Sequence, residues 1–210
     1  MSRIISYGED PLTFWAITSQ LSRILQALGD QSSSDRAIVV YRPSFGRRGR
    51  TGLGAEKGQL SAEFGEFDAI LGTQSAIYLV ESKWHSSSEA RSEWIELRPG
   101  QIHRHEILHW YFEKWQAGPS HDWDTFISRH DKAFRSRFLG NKLAPVGSTL
   151  AKNLEFVLGE LNQCGSDIQD VLLFIGQTGG PKPMGVRPDS FRLVAIDYQP
   201  LTPTGYFQMA

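Results

Sequence analysis

The chain lacks several features that would assign it to common classes of protein. It has one cysteine, Cys164, so it cannot form an internal disulfide, and this is typical of proteins in a reducing compartment. No apolar run approaches the length of about eighteen residues that a membrane span needs, and the N-terminal residues do not contain the apolar segment of a secretory signal. We therefore expect a cytoplasmic protein without a membrane partner.

The chain also lacks a net charge that would attract nucleic acid over its whole surface. Lysine and arginine total 22 against 23 aspartate and glutamate, which gives a formal net charge of -1. Binding of nucleic acid must then depend on local basic segments. One segment combines glycine with Arg47, Arg48 and Arg50. Because guanidinium groups bind phosphate oxygens bidentately and glycine lets the backbone approach them, we expect these arginines to bind nucleic acid.

No repeat, low-complexity tract or change in composition divides the 210 residues, so the sequence predicts one domain over 1–210. An N-terminal helix is expected to begin after an Asp10 cap. Hydrophobic periodicity predicts helices over 11–28, 101–115, 123–138 and 148–161, and strands over 37–41, 67–71, 77–80, 171–175 and 191–196. This is an α/β order of helix, three strands, helix and strand, with extra helices inserted before the last strands.

Charged side chains stand at the open end of the hairpin predicted over 67–80. Asp68 lies at the start of its first strand, and Glu81 and Lys83 follow its second strand. Side chains alternate between the faces of a strand, so Glu81 and Lys83 share one face while Ser82 points to the other. A turn of two or four residues would pair positions whose numbers sum to 147, and would place Glu66 and Asp68 on the same face as Glu81.

Carboxylates brought together in this way indicate a metal site. At about 4 Å two like charges repel by roughly 4 kcal/mol even at an effective dielectric near 20, and a divalent cation removes that cost. Oxygen ligands suit Mg²⁺, with Mn²⁺ able to substitute. The expected ligands are Asp68, Glu81, Glu66 and the backbone carbonyl of Ser82. Lys83 would orient or deprotonate a metal-bound water and stabilise the charge of a phosphodiester substrate.

The pattern of Asp68, twelve further residues and then Glu81-Ser82-Lys83 resembles the catalytic signature of the PD-(D/E)xK nucleases, the restriction-endonuclease-like superfamily. Phe67 stands where that signature has its nominal proline. The resemblance implies a restriction-endonuclease-like core, with a central mixed β-sheet flanked by helices in αβββαβ order. It also implies a Mg²⁺-dependent endonuclease that hydrolyses DNA in restriction, repair or defence, and many such enzymes cut both strands as homodimers.

Two further positions come from the same resemblance. Several branches of the superfamily use a Gln or Lys on the helix after the E-x-K strand to contact the metal-bound water, and Gln101 resembles that element in position. Family members also often carry an acidic residue on their first helix. Here either Glu9 or Glu66 could take that role, and the sequence leaves the choice open.

Two other functions remain as alternatives. One is a catalytically silent nucleic-acid-binding protein of the same fold. The other follows from His105-Glu106-Ile107-Leu108-His109, an HExxH motif on a predicted helix, in which two histidines one turn apart chelate zinc and the glutamate acts as base. A zinc peptidase needs a third protein ligand, and the metzincin continuation is broken by Phe112 where glycine is expected. The nuclease is therefore the leading hypothesis.

Overall fold

A computed structural model of the chain describes residues 3–46, 61–91, 93–118 and 122–209. The described strands are β1 (Ile4–Ser6), β2 (Ile38–Tyr41), β3 (Ser44–Phe45), β4 (Gly65–Glu66), β5 (Ala69–Gly72), β6 (Ala76–Trp84), β7 (Trp94–Glu96), β8 (Asp167–Gln177), β9 (Gly185–Arg187), β10 (Phe191–Tyr198) and β11 (Phe207–Met209). The helices are α1 (Glu9–Ser19), α2 (Leu21–Ala27), α3 (Pro99–Gln116), α4 (Trp123–Arg137) and α5 (Thr149–Leu161), with short 3-10 helices at Ser34–Arg36 and Ser88–Arg91.

The chain forms two compact units. The first comprises Met1–Tyr41, Phe67–Pro99 and Cys164–Ala210, and the second comprises Arg42–Glu66 and Gly100–Gln163. Because the chain leaves the first unit and returns to it twice, neither unit is a contiguous stretch. A single domain over 1–210 remains a prediction.

The first unit is built on a five-stranded sheet in the order β10-β8-β6-β5-β2. Strands β2, β5 and β6 pair in antiparallel fashion, whereas β6, β8 and β10 run parallel to one another. The predicted α/β class with a mixed central sheet is therefore confirmed. Small two-stranded pairings of β1 with β11 and of β7 with β9 complete this unit.

The predicted first helix is two helices in the structure. It begins at Glu9 after Gly8, whose φ of 101° suits glycine, so Asp10 is inside the helix rather than its cap. At Gln20 the backbone leaves the helical region, with φ at -118°, and α2 follows directly. The apolar periodicity continues through this break, which is why the sequence predicted one helix.

One face of the sheet packs against α1 and α2 through a continuous hydrophobic core. Ala76, Tyr78 and Val80 of β6 contribute to this core, and the next residue in the same row is Ser82. The Ser82 hydroxyl accepts a hydrogen bond from Thr13 Oγ1 of α1 at 2.7 Å, inside the core. Because side chains alternate along a strand, Glu81 and Lys83 point to the opposite face.

The register of the β5–β6 hairpin differs from the expected one by two residues. Ala69 pairs with Val80, so the numbers of paired positions sum to 149 rather than 147, and the turn is Gln74-Ser75. The predicted register was wrong because the sequence does not show what holds the turn. The shift is an even number of residues, so each side chain keeps its predicted face.

A buried carboxylate far away in sequence holds this turn. Asp30 accepts hydrogen bonds from Thr73 Oγ1 at 2.7 Å, Tyr78 OH at 2.8 Å and the Ser32 backbone N–H at 2.8 Å. Thr73 Oγ1 in turn accepts the Ala76 N–H at 3.0 Å. Burial alone would raise the pKa of Asp30, but these hydrogen bonds outweigh burial and lower the pKa to about 2.

The second unit has an aromatic core on α3 and α4. Trp110, Tyr111, Phe126 and Phe134 are all buried, with ring centroids 4.9 to 5.9 Å apart among the contacting pairs. Asp122 caps α4 by accepting the Thr125 N–H at 2.9 Å. None of the helices in the described part of the chain is both long and apolar enough to cross a membrane.

We expect Asp30→Asn to destabilise the folded protein by roughly 1–3 kcal/mol at neutral pH, because the charged acceptor of three hydrogen bonds is lost. The folded-state pKa is depressed, so this stabilisation is present above about pH 4 and disappears as the pH falls toward 2. Urea unfolding of both proteins across that range measures the difference. Asp35→Asn, at an exposed position, is the matched control. Equal losses for the two variants would contradict the role of Asp30.

Candidate active site

Asp68, Glu81 and Lys83 lie on the sheet face opposite α1 and α2. The pairing of Ala69 with Val80 and of Ile70 with Leu79 places Asp68, one residue before β5, beside Glu81 of β6. The predicted common face is thus present, although it arises from the shifted register. Neighbouring residues on this face, Ile70 and Leu79, are fully buried, so the three charged groups are at the edge of an apolar surface.

A backbone hydrogen bond fixes the Asp68 carboxylate. Its Oδ2 accepts the N–H of Ser82 at 2.7 Å. Burial is the main cause that raises the pKa of Asp68, and the negative charges of Glu81 and Glu9 raise it further. The Ser82 hydrogen bond and the positive charge of Lys83 oppose these effects, and the result is a pKa of about 7. The hydrogen bond from Ser82 also ties the Asp68 side chain to β6, the strand that carries Glu81.

Lys83 and Glu81 form an ion pair with little access to solvent. Lys83 Nζ is 3.5 Å from Glu81 Oε1, and the two side chains are 10% and 3% exposed. An isolated charge at such depth would be strongly destabilising, and each partner compensates the other. The ammonium group of Lys83 is therefore kept next to the carboxylates.

Glu9 is the acidic residue of the first helix that belongs to this cluster. It is the first residue of α1, and its Oε2 accepts hydrogen bonds from the Trp84 N–H at 3.3 Å and from Ser87 Oγ. These two donors lie just after Lys83 in the chain. Sequence reasoning found Glu9 but missed Ser87, because nothing distinguishes it within its run of three serines.

Two other predicted site residues, Glu66 and Gln101, are not part of the first unit, which contains the cluster. Glu66 does not extend the hairpin, because β4 pairs with β3, and its carboxylate accepts from Ser44 Oγ at 3.1 Å and lies 3.8 Å from Arg42. Both Glu66 and Gln101 belong to the second unit. Of the two acids left open by the sequence, Glu9 shares a unit with Asp68. Arg47, Arg48 and Arg50 lie outside the described residues.

The donor set of the cluster suits a hard divalent cation. Across residues 3–46, 61–91, 93–118 and 122–209, no group of three or more His, Cys, Asp or Glu side chains is arranged to hold a metal. Mg²⁺ commonly takes only one or two protein carboxylates, with water and substrate in the other positions. Asp68, Glu81 and the Ser82 carbonyl are oxygen donors of that kind, so the residues present fit Mg²⁺ in number and type.

The HExxH motif lies on α3 in the second unit. His105 is buried in the second unit, whereas Glu106 is exposed and contacts His103 at 3.4 Å. A catalytic zinc takes three protein ligands, and the part of the chain that the structure describes offers no such group around the motif.

Comparison with protein-family models, with curated proteins and with solved structures finds no match to this chain. The functional argument therefore depends on the geometry and chemistry of these residues.

Asp68→Asn should alter the pH dependence of stability when divalent metal is removed by a chelator. The folded-state pKa of Asp68 is raised, so its protonation stabilises the wild type below about pH 4, and this contribution is lost as the pH rises through about 7. Above that pH the neutral Asn relieves the repulsion from Glu81. We expect the variant to melt a few degrees higher than the wild type at about pH 8 and similarly at about pH 4.

Thermal melts over this range are the measurement. Asp189→Asn, at an exposed position in the same unit, controls for loss of one carboxylate and should leave the pH profile unchanged. A constant difference between Asp68→Asn and the wild type at all pH values would contradict the repulsion.

Proposed function

We propose that the protein is a Mg²⁺-dependent nuclease of the PD-(D/E)xK type that hydrolyses DNA phosphodiester bonds. The observation that carries the proposal is the set of two carboxylates and one ammonium on adjacent strands, with Asp68 fixed to the Ser82 N–H and Lys83 beside Glu81. The mixed sheet, with helices after its third strand, is compatible with a restriction-endonuclease-like core. Mn²⁺ is expected to replace Mg²⁺.

Each residue of the cluster has a separate proposed role in the reaction. Asp68, Glu81 and the Ser82 carbonyl would hold the ion, which supplies positive charge to a phosphate oxygen and lowers the pKa of a bound water. Lys83 Nζ donates hydrogen bonds to the phosphate oxygens as negative charge develops there, or orients the attacking water. Glu9 fixes the backbone after Lys83 by accepting the Trp84 N–H, which limits the positions that Lys83 can reach.

Binding of DNA is proposed to use basic side chains other than that of Lys83. Arg47, Arg48 and Arg50 keep their proposed role as phosphate ligands from the sequence alone. In the second unit, α4 presents exposed Arg129 and Lys132, which could add to this contact. Gln101 as a ligand of the attacking water and a homodimer as the active form remain predictions from the family resemblance.

Mg²⁺ should stabilise the wild type, because it binds the folded cluster and relieves the repulsion between its carboxylates. The expected gain is about 1.4 kcal/mol at ten times Kd, or a few degrees in Tm. Asp68→Asn should lose most of this gain while keeping the fold. Thermal melts with Mg²⁺ and with a chelator provide the measurement, and an undiminished Mg²⁺ response in the variant would place the ion elsewhere.

Lys83→Ala should abolish DNA cleavage while preserving DNA binding. Removal of one well-placed donor to transition-state charge typically costs on the order of a hundredfold or more in rate. A plasmid-nicking assay across Mg²⁺, Mn²⁺, Ca²⁺ and EDTA measures cleavage, and a mobility-shift assay in Ca²⁺ measures binding. Asp68→Asn should be similarly inactive.

Glu106→Gln is the control, because it removes the would-be base of the HExxH motif from an exposed position and should leave cleavage at the wild-type rate. Binding of DNA by the wild type without cleavage in any metal would favour the catalytically silent alternative. A stoichiometric zinc ion, together with an activity that Glu106→Gln abolishes and Lys83→Ala spares, would establish the peptidase instead.

A further inference from the structure

A cavity of about 340 Å³ lies within the first unit, and Asp68, Glu81 and Lys83 are not among the residues that line it. A volume of this size is sufficient for a small ligand. Side chains that can hydrogen-bond and apolar side chains both line it, among them His85, Glu93, Phe174, Gln177, Lys182 and Pro183.

The cavity is at the carboxyl ends of parallel strands. His85 follows β6 directly and its N–H donates to the Ile175 carbonyl of β8 at 3.0 Å. Gln177 is the last residue of β8, and Lys182 and Pro183 lie in the segment that leaves it. In open α/β sheets, ligands bind in the crevice outside the carboxyl ends of the strands. The position of this cavity is therefore typical of a ligand site.

The cavity also adjoins the candidate active site. Phe174, one of its lining residues, pairs with Lys83 across β6 and β8, so the two side chains share a face. Neighbouring strands are about 4.8 Å apart, which puts the cavity one strand away from the Lys83 backbone. A substrate whose phosphate lies at Lys83 can therefore place an adjoining group in the cavity.

Two polar atoms at this end of the sheet are buried without a hydrogen-bond partner among the described residues. They are Nδ1 of His85 and Oδ1 of Asp197. Asp197 pairs with Gly176 and so faces the same side as Phe174, while its Oδ2 accepts from Lys182 Nζ at 2.8 Å. Burial lowers the pKa of His85, which favours the neutral imidazole with one donor and one acceptor nitrogen. Unsatisfied groups of this kind are costly and call for a partner.

The lining indicates an uncharged planar ligand rather than a phosphate. Lys182 is already paired with Asp197, and Glu93 adds a negative charge, so no surplus positive charge remains for an anion. Phe174 and the prolines offer flat apolar surface, while His85 and Gln177 offer donors and acceptors. A nucleobase has apolar faces and an edge with both donors and acceptors, and it matches this combination.

We propose that this cavity receives one unpaired nucleobase of the strand whose phosphodiester is cut at Lys83. The proposal rests on the nuclease function and deepens it by naming a substrate class. A base inside a continuous duplex cannot enter the cavity, so the preferred substrate is single-stranded DNA or a duplex with an unpaired base next to the cut.

The test uses short single-stranded oligonucleotides in which one position at a time is abasic or carries 2-aminopurine, whose fluorescence reports departure from the base stack. Binding is measured in Ca²⁺ and in EDTA, and cleavage in Mg²⁺. At one position next to the cut, we expect the abasic substitution to weaken wild-type binding on the order of tenfold, as for loss of a stacked base. At the same position 2-aminopurine fluorescence should change on binding.

Two variants alter the cavity in different ways. His85→Phe retains the ring contacts with Trp84 and Tyr198, at 5.0 and 5.9 Å, but removes both nitrogens. Ala90→Leu fills the cavity from another wall. Both should reduce the abasic penalty to less than about threefold and suppress the fluorescence change. His130→Phe is the matched control, a histidine within ring contact of Trp110 and Phe126 in the second unit, and should behave as wild type.

The outcomes separate this inference from the nuclease function. If the wild type cleaves DNA but tolerates an abasic residue equally at every position, the base site is overturned and the nuclease stands. The base site is also overturned if free nucleoside monophosphates compete with the oligonucleotide for binding while no abasic position weakens binding. In that case the cavity takes a free nucleotide and not a base of the bound strand. If the wild type binds oligonucleotides and an abasic position weakens that binding, but no oligonucleotide is cleaved, the base site is supported and the nuclease function is rejected. Failure to bind any oligonucleotide rejects both.

Discussion

The pairing of β5 with β6 is the constraint on which the candidate site depends. A slip by one residue would turn Asp68 to the face that packs against α1 and α2, away from Glu81 and into an apolar core. The carboxylate of Asp30 prevents this by binding Thr73 at the turn and Tyr78 on β6 at once. At the other end of β6, the hydrogen bond between Ser82 and Thr13 fixes which face the odd-numbered residues occupy.

Given this register, the electrostatics of the cluster follow from burial. Three carboxylates, those of Glu9, Asp68 and Glu81, share one ammonium group, that of Lys83, where water cannot screen them well. The excess negative charge is met in one of two ways, by a proton on Asp68 or by a bound cation. The raised pKa of Asp68 and the proposed affinity for Mg²⁺ therefore have the same physical cause. Removal of a neighbouring carboxylate should therefore bring the pKa of Asp68 closer to its ordinary value and also weaken the binding of Mg²⁺.

Much of the fold could be predicted because its main elements carry strong local signals. The β-branched and aromatic runs of β5, β6, β8 and β10 and the apolar stripes of α3 to α5 are visible within short windows of sequence. The register could not be predicted, because it depends on a contact between Asp30 and Thr73, 43 positions apart. The pairing of three-residue β1 with β11 has the same difficulty. At the candidate site, charged residue types at strand ends were sufficient to predict that Asp68, Glu81 and Lys83 share one face. The contact of Ser87 with Glu9 and the cavity depend on tertiary structure and could not be predicted.

The position of β6 within the sheet explains why the cluster and the cavity adjoin. This strand pairs in antiparallel fashion with β5 on one side and in parallel fashion with β8 on the other. Its carboxyl end consequently meets the start of β5, which delivers Asp68, and the end of β8, whose outgoing segment lines the cavity. An all-antiparallel sheet would bring a strand start to both sides of this end and leave no crevice between strand ends. The change of strand direction at β6 thus places the cluster for which we propose phosphodiester hydrolysis beside the cavity for which we propose a base.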